Sequence, residues 1–180
     1  MKKEFIKLSG ILCAITLVAA LLLAGVNKVT APKIAAAEKE AMQTAMKKIL
    51  PEAESFEEIE KDVFVGKNAD ERVGVCVKVA SNGYGGPIEM MVAFGADAKV
   101  RGIEILSHSE TAGLGAKAAE PSFKKQFSGK DYLLNVVKTK TSSPEQITAI
   151  TGATITSRAV ASGVEKAFEI ALAAITKEGQ

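Results

Sequence analysis

An uninterrupted run without a charged side chain, Leu8 to Val26 (LSGILCAITLVAALLLAGV), constrains this chain more than any other feature. At ~1.5 Å rise per residue, a helix of that length reaches about 30 Å, enough to cross the hydrocarbon core of a bilayer. Lys2, Lys3 and Lys7 precede the run and only Glu4 opposes them, so the stub at 1–7 is expected to stay in the cytoplasm. Lys28 and Lys33 on the far side make that bias modest. A cleaved signal peptide is the competing reading, but its apolar region usually spans about 7–15 residues. This run is longer, no cysteine follows it to accept a lipid, and the cleavage-like Ala35-Ala36-Ala37 lies well past its end. A retained single-pass anchor at 8–26 in the cell (inner) membrane is therefore expected. On either reading the chain from residue 30 onward is exported.

With 180 residues there is room for one compact domain beyond the anchor, and 47% apolar with 24% charged side chains suits a folded chain. The net charge of +2 arises entirely in the stub; the rest of the chain sums to zero. No basic face is implied, so a nucleic-acid partner is not expected. Two cysteines, Cys13 and Cys76, cannot build a disulfide framework, a CxxC pair or a zinc cluster. His108 is the only histidine, which removes any metal or catalytic site that needs two.

Past the anchor, Thr30-Ala31-Pro32 reads as a helix start, with Pro32 in the first turn where its missing N–H costs nothing. KIAAAEKEAMQTAMKKIL is rich in helix formers and carries Ile34, Ala37, Ala41, Met42, Ala45, Met46 and Ile49 on one stripe, until Pro51 ends it. Residues 27–51 thus read as a stalk and docking helix, with Glu38 to Lys48 supplying its solvated face. From 52 to 180 the pattern is that of a separate domain. Asp62–Val65, Val73–Ala80, Ile88–Phe94 and Val100–Leu106 are short β-rich runs with no helix between them. Gly95-Ala96-Asp97-Ala98 sits between two of them as a hairpin turn. Pro121–Phe127 reads as a short helix, Leu133–Thr139 as a further strand, and 156–177 as a last helix with Val160, Val164, Phe168, Ala171 and Leu172 on one face. The fold class is α+β: an antiparallel sheet flanked by helices, behind a single transmembrane helix.

No GxSxG, HExxH, phosphate-binding Walker loop or strand-linked GxGxxG motif occurs. The Gly-rich pieces Asn82-Gly83-Tyr84-Gly85-Gly86-Pro87 and Thr111-Ala112-Gly113-Leu114-Gly115 read first as loops, where glycine supplies a positive φ without strain. More informative is Thr151-Gly152-Ala153-Thr154-Ile155-Thr156-Ser157-Arg158, which opens the last helix. Small residues and hydroxyls there leave backbone N–H groups accessible at a helix end that favours anions, with Arg158 close by. Plain capping by Thr154, Thr156 or Ser157 uses the same donors, so the pattern leaves both readings open. One cap, however, does not account for the whole cluster. His108 reads as a structural hydrogen-bonder, Cys76 as a small core side chain, and Met90-Met91 as sheet packing.

Thr151-Gly152-Ala153-Thr154 matches the [Ser/Thr]-Gly-Ala-Thr motif of covalent FMN-binding domains. His108-Ser109-Glu110-Thr111-Ala112-Gly113-Leu114-Gly115 is similar to that family's His-x-Glu-Thr-Pro-Gly-Leu-Gly loop. Gly83-Tyr84-Gly85-Gly86-Pro87-Ile88 resembles its preceding Gly-rich turn, and Phe123 to Phe127 its short Phe-containing segment. With the anchor, the ordered set covers nearly the whole chain. It resembles the G subunits of Rnf ion-translocating electron-transport complexes more than the related C subunits of the sodium-translocating NADH:quinone reductase, because the chain is short and lacks a large insertion.

The resemblance implies FMN joined to the hydroxyl of Thr154 through a phosphoester, installed by a separate flavin transferase with FAD as donor. It implies that Glu110, Thr111 and Leu114 line the flavin and that Tyr84, Gly85 and Gly86 approach it from the neighbouring turn. Gly152 and Ala153 would complete the site beside the acceptor. It further implies a protein without complete enzyme activity of its own, passing electrons to a cofactor in other membrane subunits of a ferredoxin- and NAD-linked complex. Two positions depart from the family pattern: Thr148 stands where an acidic residue is usual, and Ala112 where proline is common. Two rival readings stay open. One is a stand-alone or quinone-reductase-type covalent-FMN carrier; the other is a non-redox anchored binding or assembly domain in which the TGATITS segment only caps a helix.

Overall fold

The computed structural model describes residues 2–69, 71–140 and 142–178, and separates into two units, 1–41 and 42–180. In the first unit, helix α1 (Lys2–Ile49) carries Leu8, Ile11, Leu12, Ile15, Leu17, Val18, Leu21, Leu22 and Leu23 with their side chains exposed on every side. A helix that is apolar all round and covered by no protein is matched to hydrocarbon, not to water. The helix does not restart at Thr30-Ala31-Pro32 as the proline pattern suggests; it runs through Pro32. The missing N–H and the ring clash disfavour this by about 3 kcal/mol. Strong helix formers after the proline, from Lys33 to Lys48, sustain the helix nonetheless, and the Thr30 hydroxyl donates to the Val26 carbonyl at 2.9 Å.

In the second unit, alternation of side chains builds a sheet that is apolar on both faces. Strands β1 (Ser55–Glu60), β2 (Val63–Asn68), β3 (Glu71–Asn82), β4 (Pro87–Gly95) and β5 (Val100–Ser107) follow one another as an antiparallel meander. The register places Val75 opposite Phe94, Val77 opposite Val92 and Val79 opposite Met90 on one face. That face is covered by Val160, Val164, Ala167, Ala171 and Ala174 of the last helix, α3 (Thr154–Glu178). On the other face Cys76, Met91 and Ala93 meet Ala45, Met46 and Ile49 from the last two turns of α1, followed by Leu50 and Ala53. Met90 and Met91, adjacent in sequence, therefore serve opposite cores, as the period of two requires. The β4–β5 hairpin closes at the Gly95–Ala98 turn, where the Gly95 N–H reaches the Lys99 carbonyl at 3.0 Å and Ala98 takes φ 61°.

Strand β1 carries no sequence signal, because Ser55–Glu60 is polar and lies at the sheet edge. The Pro121–Phe127 segment forms α2 (Pro121–Lys124) followed by a single tighter turn, Lys125–Phe127. Lys124 of α2 and Lys48 of α1 each take one oxygen of Glu104 on β5, at 2.6 and 3.0 Å, tying three elements together. The expected strand at Leu133–Thr139 shortens to β6 (Asn135–Val137), which pairs in parallel with an unforeseen β7 (Gln146–Thr148). Gln126 explains why so short a pair holds. Its side-chain amide accepts the Thr148 N–H at 2.9 Å and donates to the Thr148 carbonyl at 3.3 Å, standing in for a third strand.

Candidate functional site

Three turns converge on one cleft. The first joins β3 to β4: the Gly83 N–H reaches the Gly86 carbonyl at 2.8 Å, and Tyr84 is left 73% exposed at its tip. The second follows β5. Here the Leu114 and Ala116 N–H groups both turn back to the Thr111 carbonyl at 3.2 Å, with Gly113 at φ 76°, before a tight helical turn over Gly115–Ala119. The third precedes α3, where the Ala153 N–H reaches the Ile150 carbonyl at 2.9 Å and Gly152 takes φ 79°. The cleft between them is about 460 Å³ and is lined by Tyr84, Glu110, Thr111, Leu114 and Gly115, with residues 152–156 on the α3 side. That volume suits a small molecule or cofactor. Tyr84, Leu114 and Ile155 give it an exposed apolar rim, as a flat aromatic ligand needs.

Glu110 lies at the centre and is only 9% exposed. Its Oε2 accepts the Thr156 hydroxyl at 2.6 Å and its Oε1 accepts the Gly85 N–H at 2.9 Å. Burial pushes its carboxyl upward, but the Thr156 hydroxyl, the Gly85 and Tyr84 amides and the nearby His108 outweigh that, holding it below the ordinary carboxylate range. His108 itself accepts the Glu110 N–H on Nδ1 at 3.2 Å, a structural role.

The hydroxyls at the start of α3 do not act as helix caps. Thr156 donates to Glu110; Ser157 donates to the Ala153 carbonyl and accepts the Ile150 N–H, both at 2.9 Å. The first bond into the helix is Ser157 N–H to the Ala153 carbonyl, so the N–H groups of Thr154, Ile155 and Thr156 have no partner among the described residues. The Thr154 hydroxyl likewise has none. Three free donors at the positive end of a long helix, beside a half-buried threonine, suit a phosphate group. Free N–H donors beside an apolar rim therefore fit a group that, like FMN, joins a phosphate to a flat ring system.

Of the residues singled out in the sequence, Tyr84, Glu110, Thr111, Leu114, Gly152, Ala153 and Thr154 line the cleft. Gly85 reaches it only through its N–H on Glu110, and Gly86 shapes the turn from outside the lining. Arg158 is exposed and lies off the lining, so the expected guanidinium is not part of the cleft. Gly115, Ile155 and Thr156 line the cleft too, residues that the sequence marks only as parts of the loop and of the helix-opening cluster, not as cofactor contacts. For Thr156 a signal existed: it falls on the inward stripe of α3, where a hydroxyl needs a polar partner.

Comparison with known proteins finds relatives for both parts of the chain. Residues 83–169 match the FMN-binding domain, and residues 1–49 match the RnfG N-terminal region. The chain is 38% identical over 155 residues to the G subunit of the proton-translocating ferredoxin:NAD(+) oxidoreductase complex of Clostridium ljungdahlii, covering 84% of this chain and 83% of that one. It is 36% identical over 191 residues to the G subunit of the Na(+)-translocating complex of Acetobacterium woodii, covering 93% and 92%. Among solved structures it resembles Shewanella oneidensis NqrC at TM-score 0.53 and 25% identity, over 59% of this chain and 54% of that one. The C subunit of the Na(+)-translocating NADH-quinone reductase of Parabacteroides distasonis shares the fold at TM-score 0.52 and 24% identity, over 61% and 60%. The chain spans somewhat more than half the length of these two structures. With its anchor helix, its FMN-binding domain and relatives alike over nearly their whole length, the chain belongs to the RnfG family, the G subunits of ion-translocating oxidoreductase complexes.

Proposed function

We propose that this protein is a membrane-anchored electron-transfer subunit of a ferredoxin:NAD(+) oxidoreductase complex, and that it carries FMN on Thr154 through a phosphoester. The observation that carries the reading is the start of α3. There the Thr154 hydroxyl is unengaged, three backbone N–H groups lack acceptors, and the cleft opens beside them. When bound, FMN supplies the redox chemistry, since no side chain lining the cleft does so. The chain's own part is to hold and orient. The N-terminal amides of α3 neutralise phosphate charge, Tyr84, Leu114 and Ile155 offer apolar surface to a ring, and Glu110 keeps a fixed negative charge close by. Linkage through phosphate leaves the ring electronics untouched and prevents the cofactor from dissociating.

The anchor confines the domain to the membrane surface, where other membrane subunits of the complex are its electron partners at high effective concentration. The lysines of the stub favour a cytoplasmic N-terminus, which puts the flavin domain outside the cytoplasm. Maturation there calls for a flavin transferase acting on the exported domain. The test is in-gel flavin fluorescence of the denatured full-length chain after coexpression with a transferase. Fluorescence in the wild type and its loss in Thr154→Ala is the expected result. A dark wild-type band from folded, exported protein would leave only an anchored binding domain. Because Thr154 caps nothing, Thr154→Ala should change stability by no more than about 0.5 kcal/mol.

A further inference from the structure

We propose that Thr156 is a positioning residue whose hydroxyl, through Glu110, latches the first turn of α3 to the Gly83–Gly86 turn and thereby fixes where Thr154 stands for flavin attachment. The inference rests on the reading of Thr154 as the acceptor. Thr156 is 1% exposed and donates to Glu110 Oε2 at 2.6 Å; the other carboxylate oxygen takes the Gly85 N–H at 2.9 Å. One carboxylate thus joins segments far apart in sequence, and its own backbone N–H is held by His108. The packing around it admits nothing larger than glycine. A Cβ on Gly115 would overlap Glu110 Oε2 and stand 2.8 Å from the Thr156 hydroxyl, and a Cβ on Gly83 would overlap Glu110 Oε1. Gly85 is equally confined, against the Ser109 carbonyl.

Residues two apart on an α-helix point to nearly opposite sides, at about 100° per residue. Thr156 therefore faces the buried floor of the cleft, where Glu110 lies, while Thr154 stands half-buried in its wall. Any rotation of α3 that breaks the inner bond also turns the outer hydroxyl. A valine of the same shape would fill the space of Thr156 yet leave a buried carboxylate short of a donor, so hydrogen bonding, not volume, is what the position demands. In the attachment step the Thr154 oxygen bonds to the flavin-side phosphorus of FAD. The phosphoanhydride bond breaks, AMP leaves with that electron pair, and the hydroxyl proton passes to water. Such a displacement depends on the placement of the attacking oxygen, and an error near 1 Å costs on the order of a hundredfold in rate.

The test uses the full-length chain with purified transferase and FAD, comparing wild type, Thr156→Val, Thr156→Ser and Thr154→Ala. Covalent fluorescence should appear at least about tenfold more slowly in Thr156→Val and near the wild-type rate in Thr156→Ser. Hydrogen exchange at the Gly85 amide should quicken by about tenfold or more in Thr156→Val, while the Val92 amide in the sheet stays protected and shows the variant to be folded. Wild-type loading or unchanged Gly85 exchange in Thr156→Val would overturn the latch, as would a serine variant as slow as the valine. Flavin on Thr154→Ala would instead overturn the acceptor assignment, and with it the positioning role.

Discussion

At the residue scale, Glu110 and Cys76 show how surroundings decide chemistry. A carboxyl whose folded pKa is depressed contributes stability in full above its unfolded value, near 4.5, and loses it as pH falls through the lower folded value. Between those two values wild-type protein should lose thermal stability faster than Glu110→Gln, whose profile should be flatter. Melting curves taken from about pH 6 to about pH 3 check this, and parallel curves would sink it. Gly115→Ala introduces a methyl group where the Glu110–Thr156 bond lies. It should cost about 1–3 kcal/mol, read by denaturant unfolding, and reduce flavin loading as well. Cys76 is fully buried, and burial alone pushes its thiol up to about 12. A maleimide should leave it unlabelled in folded protein near neutral pH and label it only after unfolding, because the thiolate is the reactive form.

At the element scale, the docking of α1 onto the sheet turns on Leu50. It is wholly buried against the backbone of Gly66 and Gly74. A Cβ at Gly66 would stand 2.6 Å from Leu50 Cδ2, and one at Gly74 3.1 Å from Cδ1. These glycines form a socket for Leu50, which explains two glycines inside strands β2 and β3, the first at a shift in strand register between Gly66 and Lys67. Leu50→Ala should destabilise the domain by about 2–5 kcal/mol, measured by chemical denaturation. Gly66→Ala should cost less, about 1–3 kcal/mol, since the leucine can shift partway. Neither change touches the cleft, so loading of the folded fraction should be unaltered.

At the scale of the whole molecule, the sheet needs both its covers. A fragment 42–180 keeps Ala45, Met46, Ile49 and Leu50 over Cys76, Met91 and Ala93, and should be a folded, water-soluble flavin acceptor. A fragment 52–180 exposes that face and should aggregate or melt far lower. Size-exclusion chromatography and thermal melts of the two fragments decide the matter; equal behaviour would show the α1 cover to be dispensable.

Several of these features were readable from residues alone. The uncharged run from Leu8 to Val26 marks a helix long and apolar enough to span a bilayer, because length and charge are local properties. Alternation in Val73–Ala80 and the nearly continuous apolar run Ile88–Phe94 define central strands because such patterns are local as well. The motif at Thr151–Thr154 and the loop at His108–Gly115 mark the cleft because both need glycine where φ is positive. Other features depend on partners distant in sequence. Edge strand β1 and the β6–β7 pair take their form from neighbours, Gln126 included, that no local pattern names. Helix α1 passes through Pro32 although the local rule marks a start there. The bond from Thr156 to Glu110 spans 46 residues. Sequence by itself determined the anchor, the sheet and the three glycine turns; tertiary structure decided which donor each buried oxygen meets, because a hydrogen bond is set by where side chains arrive in space.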